Sequence, residues 1–188
     1  AAADALHSIS GDRHQSQWQV LSLPEHKPLL ASLDAEYHHQ TENTGIEAPS
    51  IAENVLADYS TTGLTLREHP LSLLREEWPF KRCTTQRETL TLPSQRFVRV
   101  AGLVTCKQRP GTASGVIFLT LEDETGNINV VVWQATAKHQ RQALLTSKLL
   151  KINGFLEREG SVIHVIAGKL TNLNHLIDTL DIASRDFR

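Results

Sequence analysis

Hydrophobic and polar positions alternate regularly only in the second half of the chain, from residue 96 to about residue 170. Runs rich in Val, Ile and Leu recur there between Gly-containing turns, which is typical of β-strands joined by short loops. We predict strands at residues 96–105, 116–121, 127–133, 148–156 and 161–167. The intervening residues 134–147 lose β-branched side chains and gain Ala, Gln and Lys, so we predict a helix there.

The order of these elements is β-β-β-α-β-β, which is the arrangement of the OB-fold, a small, partly open Greek-key barrel. We therefore predict an α+β, mainly β, fold in which a five-stranded OB barrel occupies residues 96–175. An SH3-like barrel is the main structural alternative. OB barrels bind oligonucleotides through the face of strands 2 and 3 and the adjoining loops, and they also serve as protein-docking modules.

The first half of the chain has helical patterns that irregular segments interrupt. We predict two short helices within residues 1–23, because Gly11 suits the end of one helix and Asp12 can cap the next. We expect Ile9, Trp18 and Leu21 to face a core that this short segment cannot supply by itself, and we expect the partner that supplies it to lie upstream of residue 1. Prolines and aperiodic polar residues predict a mobile acidic linker over residues 24–56.

Residues 57–95 predict a helical adaptor segment. Residues 60–63 are predicted to form a turn, and Pro70 fits the first turn of a helix whose leucines pack on a neighbouring element.

Charge divides the chain in the same place. The 188 residues carry a net charge of −2, but residues 1–95 contain 7 Lys and Arg against 13 Asp and Glu, whereas residues 96–188 contain 12 against 8. Within the second half, four cations precede the first acid at Glu122, and they are Arg96, Arg99, Lys107 and Arg109. Such a cluster suits a polyanionic partner, although a solvated face is the commoner explanation for a run of charges.

Side-chain alternation selects candidate binding residues on the second and third strands. The positions expected to fill the barrel are Ile117, Leu119, Leu121, Ile128, Val130 and Val132. Phe118 and Trp133 would then lie outside, near the cations of the first loop. Single-stranded nucleic acid is held by stacking of bases on aromatic rings and by cations along its phosphates. The candidate nucleic-acid-binding residues are therefore Arg99, Lys107, Arg109, Phe118, Asn129 and Trp133.

Catalytic and metal-binding patterns are weak. The consecutive acids at residues 122–124 diverge at a hairpin, so a solvated turn is favoured over a two-metal site. His38 and His39 are adjacent and point to different faces, which disfavours a metal site. Cys83 and Cys106 lack a Cys-x-x-Cys spacing and are expected to be reduced thiols.

The sequence also predicts where the protein resides. No segment approaches the roughly 20 consecutive apolar residues of a membrane-spanning helix, and the first residues lack the pattern of a secretory signal. We expect a soluble, cytoplasmic protein without membrane contact. Because Met is absent, we expect the chain to be a piece of something longer.

Four blocks in the barrel segment carry a family resemblance. They are RPGTA at 109–113, GVIF at 115–118, TLEDETGN at 120–127 and VVVW at 130–133. These blocks resemble the C-terminal OB domain of bacterial error-prone DNA polymerases, the translesion relatives of the replicative polymerase III alpha subunit. Residues 57–71 are similar to the segment that joins the helix-hairpin-helix region of that family to its OB domain, and residues 184–187 to its carboxyl end.

The resemblance implies a domain organisation. Residues 1–23 would end a helix-hairpin-helix region, 24–56 would be the linker, 57–95 the adaptor, 96–175 the OB domain and 176–188 a C-terminal tail.

The resemblance also implies an activity for the parent protein. The family consists of DNA-directed DNA polymerases, nucleotidyltransferases that use a divalent metal (Mg²⁺) in translesion synthesis, DNA repair, damage-induced mutagenesis and DNA replication. Its catalytic aspartates belong to a palm domain upstream, so no catalytic residue is carried over, and we expect this fragment to be non-catalytic and without a cofactor. The implied partners are single-stranded template DNA, a sliding clamp and accessory mutagenesis proteins.

Two other functions remain open at this stage. The OB barrel could dock an accessory protein subunit through Phe118, Val131 and Trp133. An independent polymerase or nuclease activity is disfavoured, because converging carboxylates are not evident in the sequence.

Overall fold

A computed structural model describes residues 2–22, 45–111, 115–160 and 162–177. The chain divides into two compact units, Ala1–Leu64 and Thr65–Arg188. Most of the predicted linker, including His38 and His39, lies outside the described residues, as does the predicted tail from residue 178 onward.

The first unit contains α1 (His7–Ser10), α2 (Arg13–Ser22) and α3 (Ile51–Thr62). The predicted break between the first two helices is confirmed. Gly11 has a φ of 88° and its N–H donates to the His7 carbonyl, while a side-chain oxygen of Asp12 accepts from the Gln15 N–H at 2.9 Å. Three apolar residues are exposed within this chain, namely Ile9, Trp18 and Leu21, and their packing on a segment upstream of residue 1 stays a prediction.

Polar residues occupy the buried face of the first two helices within this unit. Arg13 is only 3% exposed. Its guanidinium donates to the Asn54 carbonyl at 2.9 Å and forms an ion pair with Asp58. This pairing turns the polar face of α2 toward α3. Ser10 and Ser16 are buried on the same side and hydrogen-bond to each other.

Helix α3 crosses the boundary predicted between residues 56 and 57. It begins with a capping box in which Ser50 and Glu53 satisfy each other's backbone N–H groups, so helical structure starts before the predicted adaptor. Residues 60–62, predicted as part of a turn, form its last turn. The helix ends at Gly63, whose φ of 73° lies in the left-handed region that glycine adopts readily.

The second unit begins with short helices that pack beside the barrel: α4 (Pro70–Leu74), a 3₁₀ turn (Phe80–Arg82) and α5 (Gln86–Thr89). Pro70 occupies the first turn of α4 as predicted, and the Leu71 N–H donates to Nδ1 of His69 at 3.1 Å. Burial lowers the pKa of His69 below its ordinary value, which favours the neutral ring that this cap requires.

None of the described helices is both long and apolar enough to cross a membrane.

The predicted OB order is confirmed in the remainder of the second unit. The strands are β1 (Phe97–Gln108), β2 (Ile117–Asp123), β3 (Gly126–Val132), β4 (Leu149–Glu159) and β5 (Val162–Asn172). They form a closed barrel in the order β1-β2-β3-β5-β4, with β3 and β5 parallel and the other pairs antiparallel. A 3₁₀ turn at Asn174–Leu176 follows β5.

The helix predicted between the third and fourth strands consists of α6 (Gln134–His139) and α7 (Arg141–Thr146). The break at Gln140 has a specific cause. The Gln140 side chain donates to the Gly168 carbonyl and accepts from the Leu170 N–H, each at 2.7 Å. These two hydrogen bonds hold the residue between α6 and α7 against the backbone of β5.

The predicted inward side chains of β2 and β3 fill the barrel. Those that are at most 4% exposed are Leu119, Leu121, Ile128, Val130 and Val132, while Ile117 is partly buried against the same cluster. The outward residues at alternate positions are therefore presented to the surface.

The acidic turn between β2 and β3 is not solvated, contrary to the prediction. Asp123 is 2% exposed, and its carboxylate accepts hydrogen bonds from the Gln86 N–H, the Gly126 N–H and both the N–H and hydroxyl of Thr125. Glu124 accepts two hydrogen bonds from Arg75, at 2.7 and 2.6 Å. We call this arrangement the hairpin clasp, because it ties α4 and α5 to the β2–β3 turn.

Candidate nucleic-acid interface

An open groove of about 850 Å³ runs over the outer face of β2, β3 and β5. Its apolar lining includes Phe118, Val131, Trp133 and Ile166, and its polar lining includes Thr120, Asn129 and His164. We call it the aromatic groove.

Strand register explains why these side chains meet. Phe118 lies opposite Val131, and Val131 lies opposite Ile166 on the parallel strand β5. Residues paired in this way point to the same face of a sheet. In the next row, Asn129 lies between Thr120 and His164.

The predicted outward placement of the two aromatic residues is confirmed. Phe118 is 41% exposed and Trp133 is 54% exposed. Trp133 follows β3 directly and its carbonyl accepts from the Ala137 N–H at 2.9 Å, so the backbone that carries the indole is fixed where β3 meets α6. Both rings therefore offer accessible area to a ligand in the groove.

The charge of the aromatic groove is negative. Glu157 and Glu159 line it from the end of β4, and Nε2 of His164 lies 3.3 Å from the Glu157 carboxylate. Among its described lining residues there is no Lys or Arg. The groove thus supplies rings and hydrogen-bonding groups, but not partners for phosphates.

A second cavity, of about 430 Å³, lies between the end of β1 and the helices α6 and α7. Its described lining residues include four cations and no Asp or Glu, and these cations are Lys107, Arg109, Lys138 and Arg141. We call it the cationic cleft. Gln108 lines both cavities, so the cleft and the aromatic groove are neighbours.

Lys107 has a structural contact within the cleft. Its ammonium donates to the carbonyls of Leu145 and Ser147, each at 3.2 Å, at the C-terminal end of α7. A cation is favourable there because the carbonyls at a helix C-terminus carry partial negative charge. A substitution of Lys107 would therefore change stability as well as any contact with a ligand.

The structure brings five of the six candidate residues to this region. Phe118, Asn129 and Trp133 line the groove, and Lys107 and Arg109 line the adjoining cleft. Arg99 lines neither described cavity, because it lies opposite Asn153 of β4 near the other end of β1. Contact of these residues with nucleic acid stays a prediction.

The residues that the sequence analysis missed are Lys138 and Arg141 in the cleft and His164 in the groove. The two cations are three positions apart in the predicted helix, a spacing that places side chains on one face, so this signal was present in the sequence. His164 reaches the groove through the parallel pairing of β5 with β3, which the local pattern does not reveal.

Known proteins resemble this chain both in the barrel segment and over its full length. Residues 98–173 match a family model described as "tRNA_anti-codon: OB-fold nucleic acid binding domain". Over all of this chain, the error-prone DNA polymerase of Saccharophagus degradans is 52% identical and that of Teredinibacter turnerae is 49% identical, and the match covers 18% of each relative. The chain thus spans about 18% of the length of the curated relatives it matches.

Solved structures resemble the barrel only distantly. Asparaginyl-tRNA synthetase from Pyrococcus horikoshii aligns with a TM-score of 0.42 and 21% identity, over 48% of this chain and 23% of that one. The fold assignment therefore rests on the strand topology and the family model.

Proposed function

Because the chain belongs to the error-prone DNA polymerase family, we propose that its OB barrel holds the single-stranded template DNA of such a polymerase. One observation carries this proposal. A groove with two exposed aromatic rings adjoins a cleft whose described lining has four cations and no carboxylate.

In this proposal the aromatic groove binds the bases and the cationic cleft binds the phosphates. Bases stack on Phe118 and Trp133, contacts that contribute about 1–3 kcal/mol per base in other proteins. Glu157 and Glu159 disfavour phosphates within the groove, so the phosphates lie toward the cationic cleft. Duplex DNA keeps its bases stacked on one another, and only an unpaired strand offers base faces to these rings.

We propose no catalytic role for the acidic residues of the β2–β3 turn or for the residues that line the two cavities. The acids of the β2–β3 turn do not fit a metal site, because backbone and hydroxyl donors bind the Asp123 carboxylate and Arg75 binds that of Glu124. In this proposal, DNA-directed polymerisation with Mg²⁺, translesion synthesis and DNA repair belong to parts of a longer cytoplasmic enzyme. A sliding clamp and accessory mutagenesis proteins remain proposed partners of that enzyme.

The aromatic contacts can be tested with the double variant Phe118→Ala with Trp133→Ala. We expect its affinity for a fluorescein-labelled oligothymidine of about 16 nucleotides to fall at least thirtyfold, since two contacts of at least ~1 kcal/mol each are lost. Fluorescence anisotropy at low salt measures the affinity, and circular dichroism confirms that the variant folds.

Trp18→Ala is a matched control, because Trp18 is as exposed as Trp133 but lies in the first unit. It should bind as tightly as the unsubstituted chain. Equal affinities of the double variant and the unsubstituted chain would refute the stacking role. A chain that binds no single-stranded DNA even at low salt would instead favour the protein-docking alternative.

The cationic cleft can be tested through the salt dependence of binding. Single-strand affinity falls with salt by a slope of about 0.7 per neutralised phosphate on a log–log plot. We therefore expect the triple variant Arg109→Ala, Lys138→Ala and Arg141→Ala to reduce the slope by about 2. Lys107 is left intact because it contacts the end of α7.

A control variant removes cations outside the cleft, Lys81→Ala with Arg82→Ala, both of which are exposed. Its slope should match that of the unsubstituted chain. If the triple variant and this control gave the same slope, the phosphates would not lie in the cleft.

A further inference from the structure

Outward side chains form one continuous row that extends from the aromatic groove around the barrel. Each member of the row lies opposite the next on a neighbouring strand, and the row is Phe118, Val131, Ile166, Phe155 and Phe97. Strands lie about 4.8 Å apart, so the four steps span roughly 19 Å. The row continues the groove across β5 and β4 to the start of β1.

The far end of this row is aromatic and accessible. Phe97 is 45% exposed and Phe155 is 55% exposed. Their ring centroids are 5.6 Å apart with an interplanar angle of 71°, an edge-to-face arrangement. Two further rings are thus available beyond the groove.

Cations accompany these rings. In the row next to Phe97 and Phe155, Arg99 lies opposite Asn153, which lies opposite Lys169. The guanidinium carbon of Arg99 lies 5.4 Å from the centroid of the Phe97 ring. We call the Phe97 and Phe155 rings with these cations the lateral surface.

A third cation belongs to the same region. Lys151 occupies the following outward position of β4, and its ammonium lies 5.1 Å from the centroid of the Trp78 ring, which is 72% exposed. Residues 151–155 of β4 and residues 166–171 of β5 contain no carboxylate. The next outward residue of β4 is Glu157, which lies opposite His164 in the aromatic groove. The lateral surface therefore carries positive charge beside exposed rings.

We propose that the single strand bound in the aromatic groove continues over the lateral surface, where its bases stack on Phe155 and Phe97 and its phosphates face Arg99 and Lys169. This inference rests on the function proposed above. A strand alternates apolar base faces with negative phosphates, which matches rings flanked by cations. An apolar protein partner would bury these cations without compensation, at a cost in desolvation.

The length of the bound oligonucleotide distinguishes the two surfaces. OB barrels contact about 4–16 nucleotides, so an oligothymidine of about 5 nucleotides fills the groove and one of about 16 reaches the lateral surface. We expect Phe97→Ala with Phe155→Ala to weaken binding of the long oligonucleotide about thirtyfold or more, and that of the short one less than twofold.

A second variant gives an independent measure of the same path. Arg99→Ala with Lys169→Ala should lower the salt slope by about 1.4 for the long oligonucleotide and leave that of the short one unchanged. The full 188-residue chain is used throughout. Phe118→Ala with Trp133→Ala should weaken binding at both lengths.

The outcomes separate the two proposals. One outcome refutes only the proposed path over the lateral surface. In that outcome the unsubstituted chain binds both oligonucleotides and binding requires Phe118 and Trp133, but the variants of the lateral surface bind both lengths as tightly as the unsubstituted chain. If the unsubstituted chain binds neither oligonucleotide, the proposed function itself fails.

Discussion

Gly154→Ala is expected to destabilise the barrel by about 3 kcal/mol or more. A Cβ atom at this position would lie 2.2 Å from the Ile166 carbonyl oxygen and 3.0 Å from a side-chain carbon of Val165. The first contact is with backbone of β5, so no side-chain rotation relieves it. The strands must move apart at the irregularity between Asn153 and Gly154, in the longest ladder of the barrel.

Urea unfolding followed by far-ultraviolet circular dichroism measures this effect. Gly111→Ala is the matched control, because among the described residues no atom beyond its chain neighbours lies within 4 Å of the added Cβ, and its φ lies outside the left-handed region. The control should unfold close to the midpoint of the unsubstituted chain. Equal midpoints for the two alanine variants would show that β4 and β5 tolerate the extra atom.

Arg75→Ala is expected to destabilise the second unit by about 3 kcal/mol. Arg75 forms both hydrogen bonds to the Glu124 carboxylate and also donates to the Cys83 carbonyl at 3.2 Å. Its Nη2 lies 4.0 Å from Asp123, whose side chain is fully buried. Removing Arg75 leaves the Glu124 carboxylate without its two hydrogen bonds, whereas Asp123 keeps its backbone and hydroxyl donors. Breaking a buried ion pair costs about 3–5 kcal/mol, and we expect the lower end because the Arg75 and Glu124 side chains are 18% and 16% exposed.

Substitution by lysine separates charge from geometry at this position. Arg75→Lys keeps the positive charge but loses the planar fork that binds both oxygens of Glu124, so we expect an intermediate loss of stability. Arg87→Ala, a change at an exposed arginine of the same segment, is the control. If Arg75→Ala and Arg87→Ala were equally stable in urea, the contacts of Arg75 in the hairpin clasp would contribute nothing to the stability of the fold.

The clasp also has a functional consequence. It fixes the turn that joins β2 and β3, and these strands carry Phe118 and Asn129 into the groove. Hydrogen exchange of the β2–β3 amides should therefore accelerate in Arg75→Ala. The stability of this turn and the shape of the binding face are linked.

The sequence was sufficient for the barrel but not for the clasp. Alternation with a period of two follows from strand geometry alone, so the inward position of Leu121 and the outward position of Phe118 could be predicted. The burial of Asp123 depends on the N–H of Gln86, 37 positions earlier in the chain. A local pattern of three consecutive acids contains no information about such a distant donor.

The length of β1 explains why Arg99 lies apart from Lys107 and Arg109. β1 pairs with β4 over residues 97–103 and with β2 over residues 103–108, with an irregularity between Val104 and Cys106. Cations that are close in sequence therefore reach different faces of the barrel. By contrast, the start of α3 was available from the sequence, since Ser50 and Glu53 have the spacing of a capping box.

Photocrosslinking tests the central claim most directly. An oligothymidine of about 16 nucleotides, with iododeoxyuridine in place of some thymidines, is bound to the full chain, irradiated and mapped by mass spectrometry. We predict crosslinks at Phe118 and Trp133, lost when excess unlabelled single strand is added and retained when duplex is added. Crosslinks confined to residues outside the barrel, or none at low salt, would contradict the assignment of the OB barrel as the site that holds single-stranded DNA.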